Sequence, residues 1–151
     1  MTPLTLPSHA SMLTGLYPPR HRLRDNGLRA LPASAETLAE ACRDAGYQTA
    51  AFVSAAVLDR AFGLDQGFDV YSQPGRPERQ TTSHYTQRSA AETLQEARWW
   101  LNGRDRERPF FAWLHFYDPH VPYDPPVSFL DRAGGNAHLG EIARVDQAIG
   151  E

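Results

Sequence analysis

The sequence predicts an α/β domain, and three observations carry that expectation. A helical pattern, a glycine and a short apolar run succeed one another within Ser34–Val53, the order of one α/β half-unit. A second helical stretch ending at Gly103 precedes the aromatic run Phe110–Phe116, FFAWLHF. The chain has 151 residues, 41% hydrophobic and 22% charged, which is enough to bury one core.

The elements follow in chain order. Pro7 suits the first turn of a helix, where its missing N–H costs nothing, and Gly15 suits its end. This places Thr5 just before a helix N-terminus. Ser34 is the expected N-cap of the next helix, with Glu36 in its first turn. Leu38, Ala41, Cys42 and Ala45 follow at helical spacing, which predicts a narrow apolar face and a packed, inert Cys42 thiol. Gly46 stops that helix, and Tyr47–Val53 predicts a buried strand. Two glycines in Leu58–Tyr71 predict a turn leading into a short strand at Phe68–Tyr71, and Arg76–Gln80 reads as a polar loop. A longer helix is expected over about Ser83–Leu101, with Ala90, Leu94, Ala97 and Leu101 on one face and Trp99 and Trp100 in the core. Phe110–Phe116 predicts a central strand, because aromatic residues favour pleated structure over so short a run. The proline-rich segment Asp118–Tyr123 then forms an irregular loop, and a last helix restarts at Gly140 with Ile142, Val145 and Ile149 as its stripe.

Composition excludes several functions. The net charge is −3, so no basic footprint recommends a nucleic-acid partner. All 15 cationic side chains are arginines, which removes any anion-gripping lysine from this chain. The single cysteine excludes an internal disulfide and a cysteine-built zinc site. Met1–Pro19 has neither a basic leader nor a continuous apolar run, so neither a signal peptide nor a membrane span is expected. The 12 prolines, against about 5% in average proteins, cluster between the regular segments and mark ordered loops.

Three groups of residues carry chemistry. In Thr5–Gly15 (TLPSHASMLTG) the Thr5 hydroxyl lies by a helix N-terminus, whose dipole favours an anionic group. An alkoxide there, with its pKa lowered by a metal ion, suits attack on a phosphorus or sulfur ester. Thr5 and Ser8 as ordinary capping hydroxyls is the alternative reading. His120 stands between two prolines on a stiff loop after the presumed strand, where open α/β sheets place their ligands. It suits a positioned hydrogen-bond donor or general acid. His115, inside the apolar run, reads as a satisfied structural histidine, and Asp118 as a turn initiator. His21, Arg22, Arg24, Asp25 and Asn26 make a polar cluster that either lines an anion pocket or forms a solvated turn ending at Gly27.

In this order the segments resemble the sulfatase family. Pro7, Ser8, Thr14 and Gly15 match the family signature, in which a cysteine or serine nucleophile precedes x-Pro-Ser-Arg and a later Thr-Gly. Thr5 takes the nucleophile position and His9 the arginine position. Leu16-Tyr17-Pro18, Gly46-Tyr47-x-Thr49 and Gly67-Phe68-Asp69 continue the likeness. Phe110–Tyr123 is similar to the strand and loop that carry an active-site histidine, here His120, and Gly140–Gly150 is similar to the helix before a later metal-binding segment. The resemblance implies a three-layer αβα sandwich of alkaline-phosphatase/sulfatase type. It is expected to be incomplete, residues 1–151 being a partial catalytic domain without its first strand and its metal-binding C-terminal half.

The implied site has Thr5, His9 and His120 as catalytic residues, and Ser8, Arg24, Asn26 and His120 as substrate contacts. Thr5 is the one metal-facing residue of the set. The implied cofactor is a divalent ion, Ca²⁺, Mg²⁺ or Mn²⁺, for the complete domain, with none expected on this chain alone. The implied substrate is a small-molecule or glycan sulfate or phosphate ester. Threonine cannot be oxidised to formylglycine, so Thr5 resembles instead the phosphodiesterases and phosphoethanolamine transferases of the same superfamily. Ala51-Phe52-Val53-Ser54 stands where sulfatases carry a lysine and a histidine. A non-catalytic, weakly anion-binding domain is the alternative from another class, and the 151-residue chain alone is expected to be inactive.

Overall fold

The computed structural model describes residues 3–75 and 87–151. Helix α1 (Thr5–Thr14) is followed by the short α2 (Pro18–His21) and by α3 (Leu38–Asp44). Strand β1 (Gln48–Val53) leads through two 3₁₀ turns to β2 (Val70–Ser72). Helix α4 (Ala90–Gly103) precedes β3 (Phe110–His115), and α5 (Val127–Arg132) and α6 (Ala137–Gly150) close the chain. Both strand pairings are parallel and the strand order is β2-β1-β3, with one isolated antiparallel bridge between Ala55 and Gln87. The α/β expectation is met.

The burial of β1 from Thr49 to Val53 explains its β-branched, small and apolar composition there. Its side chains alternate between two cores, as strand geometry requires. Ala51 and Val53 face Leu6, Ala10 and Leu13 of α1 together with Leu58 and Leu64. Ala50 and Phe52 face Ala97 of α4, with Trp100 and Leu114 packed alongside. Helices therefore cover both faces of the sheet, the layering that the resemblance implies. Phe52 is 1% exposed, and burying such a side chain contributes roughly 1.5–3 kcal/mol.

Several sequence expectations shift. Thr37, not Ser34, caps α3: its hydroxyl accepts from the Glu40 amide, and the Glu40 carboxylate accepts from the Thr37 amide. The threonine–glutamate spacing of a capping box outweighs a lone serine. The predicted face of α3 is largely solvent-exposed, with Leu38 48% accessible, while the neighbouring Ala39 is fully buried. Cys42 is half-buried. The second strand begins at Val70, two residues later than expected. Ser89 starts α4 with a second capping box to Glu92, and Thr93 is buried beside Ala90 and Ala97. The expected Arg76–Gln80 loop, and the helix start at Ser83, lie outside the described residues.

Trp99 is 80% exposed, against the expected core position, whereas Trp100 stacks near Phe52. β3 is not central: among the described residues it pairs with β1 alone, and β1 holds the centre. In α6 the buried residues are Gly140, Glu141 and Ala148, while Ile142 and Ile149 are exposed. Gly140 is needed there, because a Cβ would stand 2.9 Å from Pro125 Cγ. No described helix is long and apolar enough to cross a membrane.

Candidate functional site

His9, one turn into α1, packs against Trp113 and His115 in the C-terminal half of β3. Thr5 is the first residue of α1, one place further in than expected, and Leu4 occupies the N-cap without a side-chain bond. The helix start is capped from a distance instead. Asn26 Oδ1 accepts from the Leu6 amide at 2.9 Å. Pro7 has no N–H, and the Ser8 amide donates to Leu4 O at 3.1 Å. Among the described residues this leaves only the Thr5 amide of the first turn for an incoming anion. The anion-binding capacity expected of this helix end is therefore mostly spent internally. The Oδ1 atom of Asn26, a residue expected to contact substrate, is engaged in this cap.

His9 stands one turn above Thr5, and its Nδ1 donates to Thr5 O at 2.7 Å. That bond leaves Nε2 as the free nitrogen. The His9 ring packs 5.4 Å from Trp113 and 4.9 Å from His115, edge-on to the latter. Burial holds His9 below the ordinary imidazole range, against the opposing pull of the Thr5 carbonyl. The same desolvation, helped by the nearby His9, brings His115 down to about 4. Both rings are thus neutral near pH 7. His115 is not the satisfied histidine that the sequence suggests, because its buried Nδ1 has no hydrogen-bond partner. The backbone carbonyl of His115 accepts from Ser54 Oγ at 2.6 Å.

His120 is exposed and stacks on Tyr117 at 4.3 Å. Its Nδ1 donates to Val121 O at 2.7 Å, which turns Nε2 outward. No contact joins His120 to Thr5 or His9 among the described residues. The loop that carries it is pinned at both ends. Asp118 accepts from the Ala90 amide at 2.8 Å, closing the N-terminus of α4, and the Asp124 amide donates to Glu141 Oε1 at 3.0 Å. Asp118 is therefore a helix cap, not merely a turn initiator. Burial raises the Glu141 carboxyl above the usual range, reinforced by its hydrogen bond with Asp118.

Ser8 is half-buried beside Thr5. Arg24 lies on an exposed loop with Arg22 and Arg29, around a cavity of about 370 Å³. His21, offered by the sequence as a pocket residue, is fully buried. Its Nε2 bonds Ser11 Oγ at 3.0 Å and its Nδ1 accepts from the Leu23 amide at 3.1 Å, tying α2 to α1.

A divalent ion finds no complete donor set here. Among the described residues no three His, Cys, Asp or Glu side chains converge where a cation would be held. Thr5 and the His9–His115 pair supply fewer ligands than a hard divalent ion takes, and no chemical step is routed through one.

The fold has many solved counterparts. A Bacteroides thetaiotaomicron protein, from a study of glycosaminoglycan metabolism, superposes with a TM-score of 0.77 at 19% identity, over 98% of this chain and 44% of that one. The phosphonate monoester hydrolase of Agrobacterium radiobacter gives 0.62 at 22% identity, over 85% and 34%. The lipoteichoic acid synthase of Listeria monocytogenes gives 0.63 at 18%, over 99% and 39%. The chain thus spans less than half the length of these structures. No curated protein sequence matches it significantly. The Sulfatase family profile matches residues 1–151, and with the αβα layering and the Thr5–Gly15 segment in place, the chain belongs to the sulfatase family.

Proposed function

We infer that this chain supplies the nucleophile turn and the oxyanion-contacting loop of a larger sulfate- or phosphate-ester hydrolase. The observation that carries the reading is the family match over residues 1–151, and the likeness of Thr5–Gly15 to the family signature supports Thr5 as the nucleophile. In the structure, its α1 turn is seated by His9 on the C-terminal half of β3. Thr5 Oγ1 attacks the sulfur or phosphorus, a Thr5–ester bond forms as the leaving-group bond breaks, and water then releases the bound group. His9 holds the Thr5 carbonyl and so fixes the turn from which the hydroxyl projects.

His120 acts on the ester oxygens from the following loop. With Nδ1–H committed to Val121 O, its neutral ring offers only a lone pair at Nε2. Contact with an anionic oxygen therefore uses the imidazolium form, which also delivers a proton to the departing alkoxide. A threonine hydroxyl favours phosphorus over sulfur esters, since it reacts as it stands and formylglycine cannot form from it. A phosphodiesterase or phosphoethanolamine-transferase type of reaction is thus the preferred form of this reading. A divalent ion acting on Thr5 takes its remaining ligands from outside the described residues.

The test is an assay of the complete protein that carries this chain, against an aryl sulfate, an aryl phosphodiester and an aryl phosphonate monoester, with Ca²⁺, Mg²⁺ or Mn²⁺ supplied in turn. Thr5→Ala is expected to lower kcat by about a thousandfold or more, and Thr5→Ser to retain part of it. The 151 residues alone are expected to turn over none of the three. Full activity in Thr5→Ala would remove Thr5 from the mechanism.

A further inference from the structure

The segment between α2 and α3 presents three guanidiniums, Arg22, Arg24 and Arg29, around a cavity of about 370 Å³ with Pro19, Asp25 and Leu28. Three positive charges meet one negative charge there, in a chain whose overall charge is −3. Among the described residues no ion pair or hydrogen bond engages any of the three guanidiniums, and none joins them to Asp25. Several other arginines are put to structural use. Arg88 bonds Ser72 and Thr93, Arg108 bonds the carbonyls of Gly46 and Tyr47, and Arg144 faces Asp118.

The backbone behind these arginines is pinned. His21 and Leu23 are 0% and 1% exposed, so Arg22 and Arg24 flank a buried anchor and project outward. Arg22 adopts φ 68°, an uncommon conformation for a non-glycine residue, and its amide donates to Pro18 O at 2.8 Å. Two residues beyond Arg24, the Asn26 side chain caps the first turn of α1, beside Thr5. Leu31 is held by its amide bond to Phe62 O at 2.8 Å. The arginines are therefore displayed from a fixed frame coupled to the turn that carries Thr5.

We propose that Arg22, Arg24 and Arg29 form an oxyanion subsite that holds a second sulfate, phosphate or carboxylate group of an anionic small molecule or sugar. Guanidinium forks match such groups in plane and charge, and the cavity takes roughly one substituted ring. In calling that molecule a substrate, the proposal rests on the ester-hydrolase reading. The binding of the anion does not depend on turnover.

The test is calorimetry at constant ionic strength on the complete protein, with inorganic sulfate, inorganic phosphate, acetate and a disulfated disaccharide as probes. The double variant Arg22→Asn/Arg24→Gln is suitable because both side chains are exposed and asparagine tolerates the backbone of Arg22. The disaccharide is expected to bind more tightly than any inorganic ion and to weaken at least about tenfold in the double variant. Arg29→Gln alone is expected to weaken it about threefold. Equal disaccharide affinity in wild type and double variant would overturn the subsite. So would binding of inorganic ions alone, with no preference for the sugar. Disaccharide binding that depends on the arginines, in a protein that hydrolyses no ester, would leave the subsite standing and sink the hydrolase reading.

Discussion

Acid should unfold this protein partly through one imidazole. His115 sits against His9 and Trp113 with its Nδ1 buried and unpaired, so desolvation, helped by the neighbouring His9, disfavours its charged form. In the unfolded chain the ring titrates near 6.5, and in the folded chain near about 4. The folded pKa is depressed, so the unfolded state binds the proton first. This stabilisation is fully present above pH 6.5 and is lost as pH falls towards 4. At 1.36 kcal/mol per pH unit the interval corresponds to about 3 kcal/mol, a large share of a typical domain's stability.

His9 titrates in the same direction, and so does Glu92, whose carboxyl is held low by its hydrogen bonds to Ser89. Glu141 works against them, since its raised carboxyl favours the folded state as pH falls. A comparison with His115→Gln and His115→Phe separates one contribution from the rest. Urea unfolding at intervals from pH 7.5 to 4 supplies the free energies. Between pH 6.5 and 4 the wild type is expected to lose about 3 kcal/mol more than either variant, with the curves diverging from pH 6.5 downward. Parallel curves for wild type and both variants would refute the reasoning, because they would mean that the His115 ring accepts its proton as easily folded as unfolded.

Two further substitutions probe how the site is framed. Gly67→Ala should be among the most damaging changes in the chain. Its φ is +85°, and a Cβ would stand 2.2 Å from the Glu40 amide nitrogen, so either the α3 start or the turn before β2 must move. A loss of about 3 kcal/mol or more in urea unfolding is expected, and a loss under about 1 kcal/mol would contradict the packing described. Asn26→Ala removes the cap of α1 and should destabilise by about 1–2 kcal/mol, while Asn26→Asp, which keeps the acceptor, should restore most of it. Hydrogen exchange at the Leu6 amide provides a local readout, and unchanged protection in Asn26→Ala would show that the bond contributes nothing.

The parts of the fold legible from sequence were those set by backbone rules. Gly15, Gly46 and Gly67 mark positive-φ positions that punctuate helices and turns, and the apolar runs at 48–53 and 110–115 became paired parallel strands. Side-chain periodicity was less faithful, for a physical reason. Where α3 and α6 each pack closely on their neighbours, the buried non-polar residues are small, Ala39, Gly140 and Ala148, because small side chains allow close approach. The larger Leu38, Ile142 and Ile149 fall on the open sides. A stripe of large apolar residues therefore reports a face with hydrophobic content, not the contact that a given stretch of chain makes.

The same distinction governs the site. Thr5 and His9 could be paired from sequence because a helix brings i and i+4 together. His115, 106 residues from His9, could not, since only strand β3 passing beneath α1 creates that contact. Asn26 and Arg24 looked alike as polar loop residues, yet one side chain turns back to close α1 while the other faces a cavity. Alternation about the buried Leu23 was the available signal, because Arg22, between the core anchors His21 and Leu23, must point outward, and Arg24 leaves the second anchor on the exposed side. Function in this segment is therefore divided by side-chain direction: His21, Leu23 and Asn26 hold the frame, and Arg22 and Arg24 are free to meet an anion.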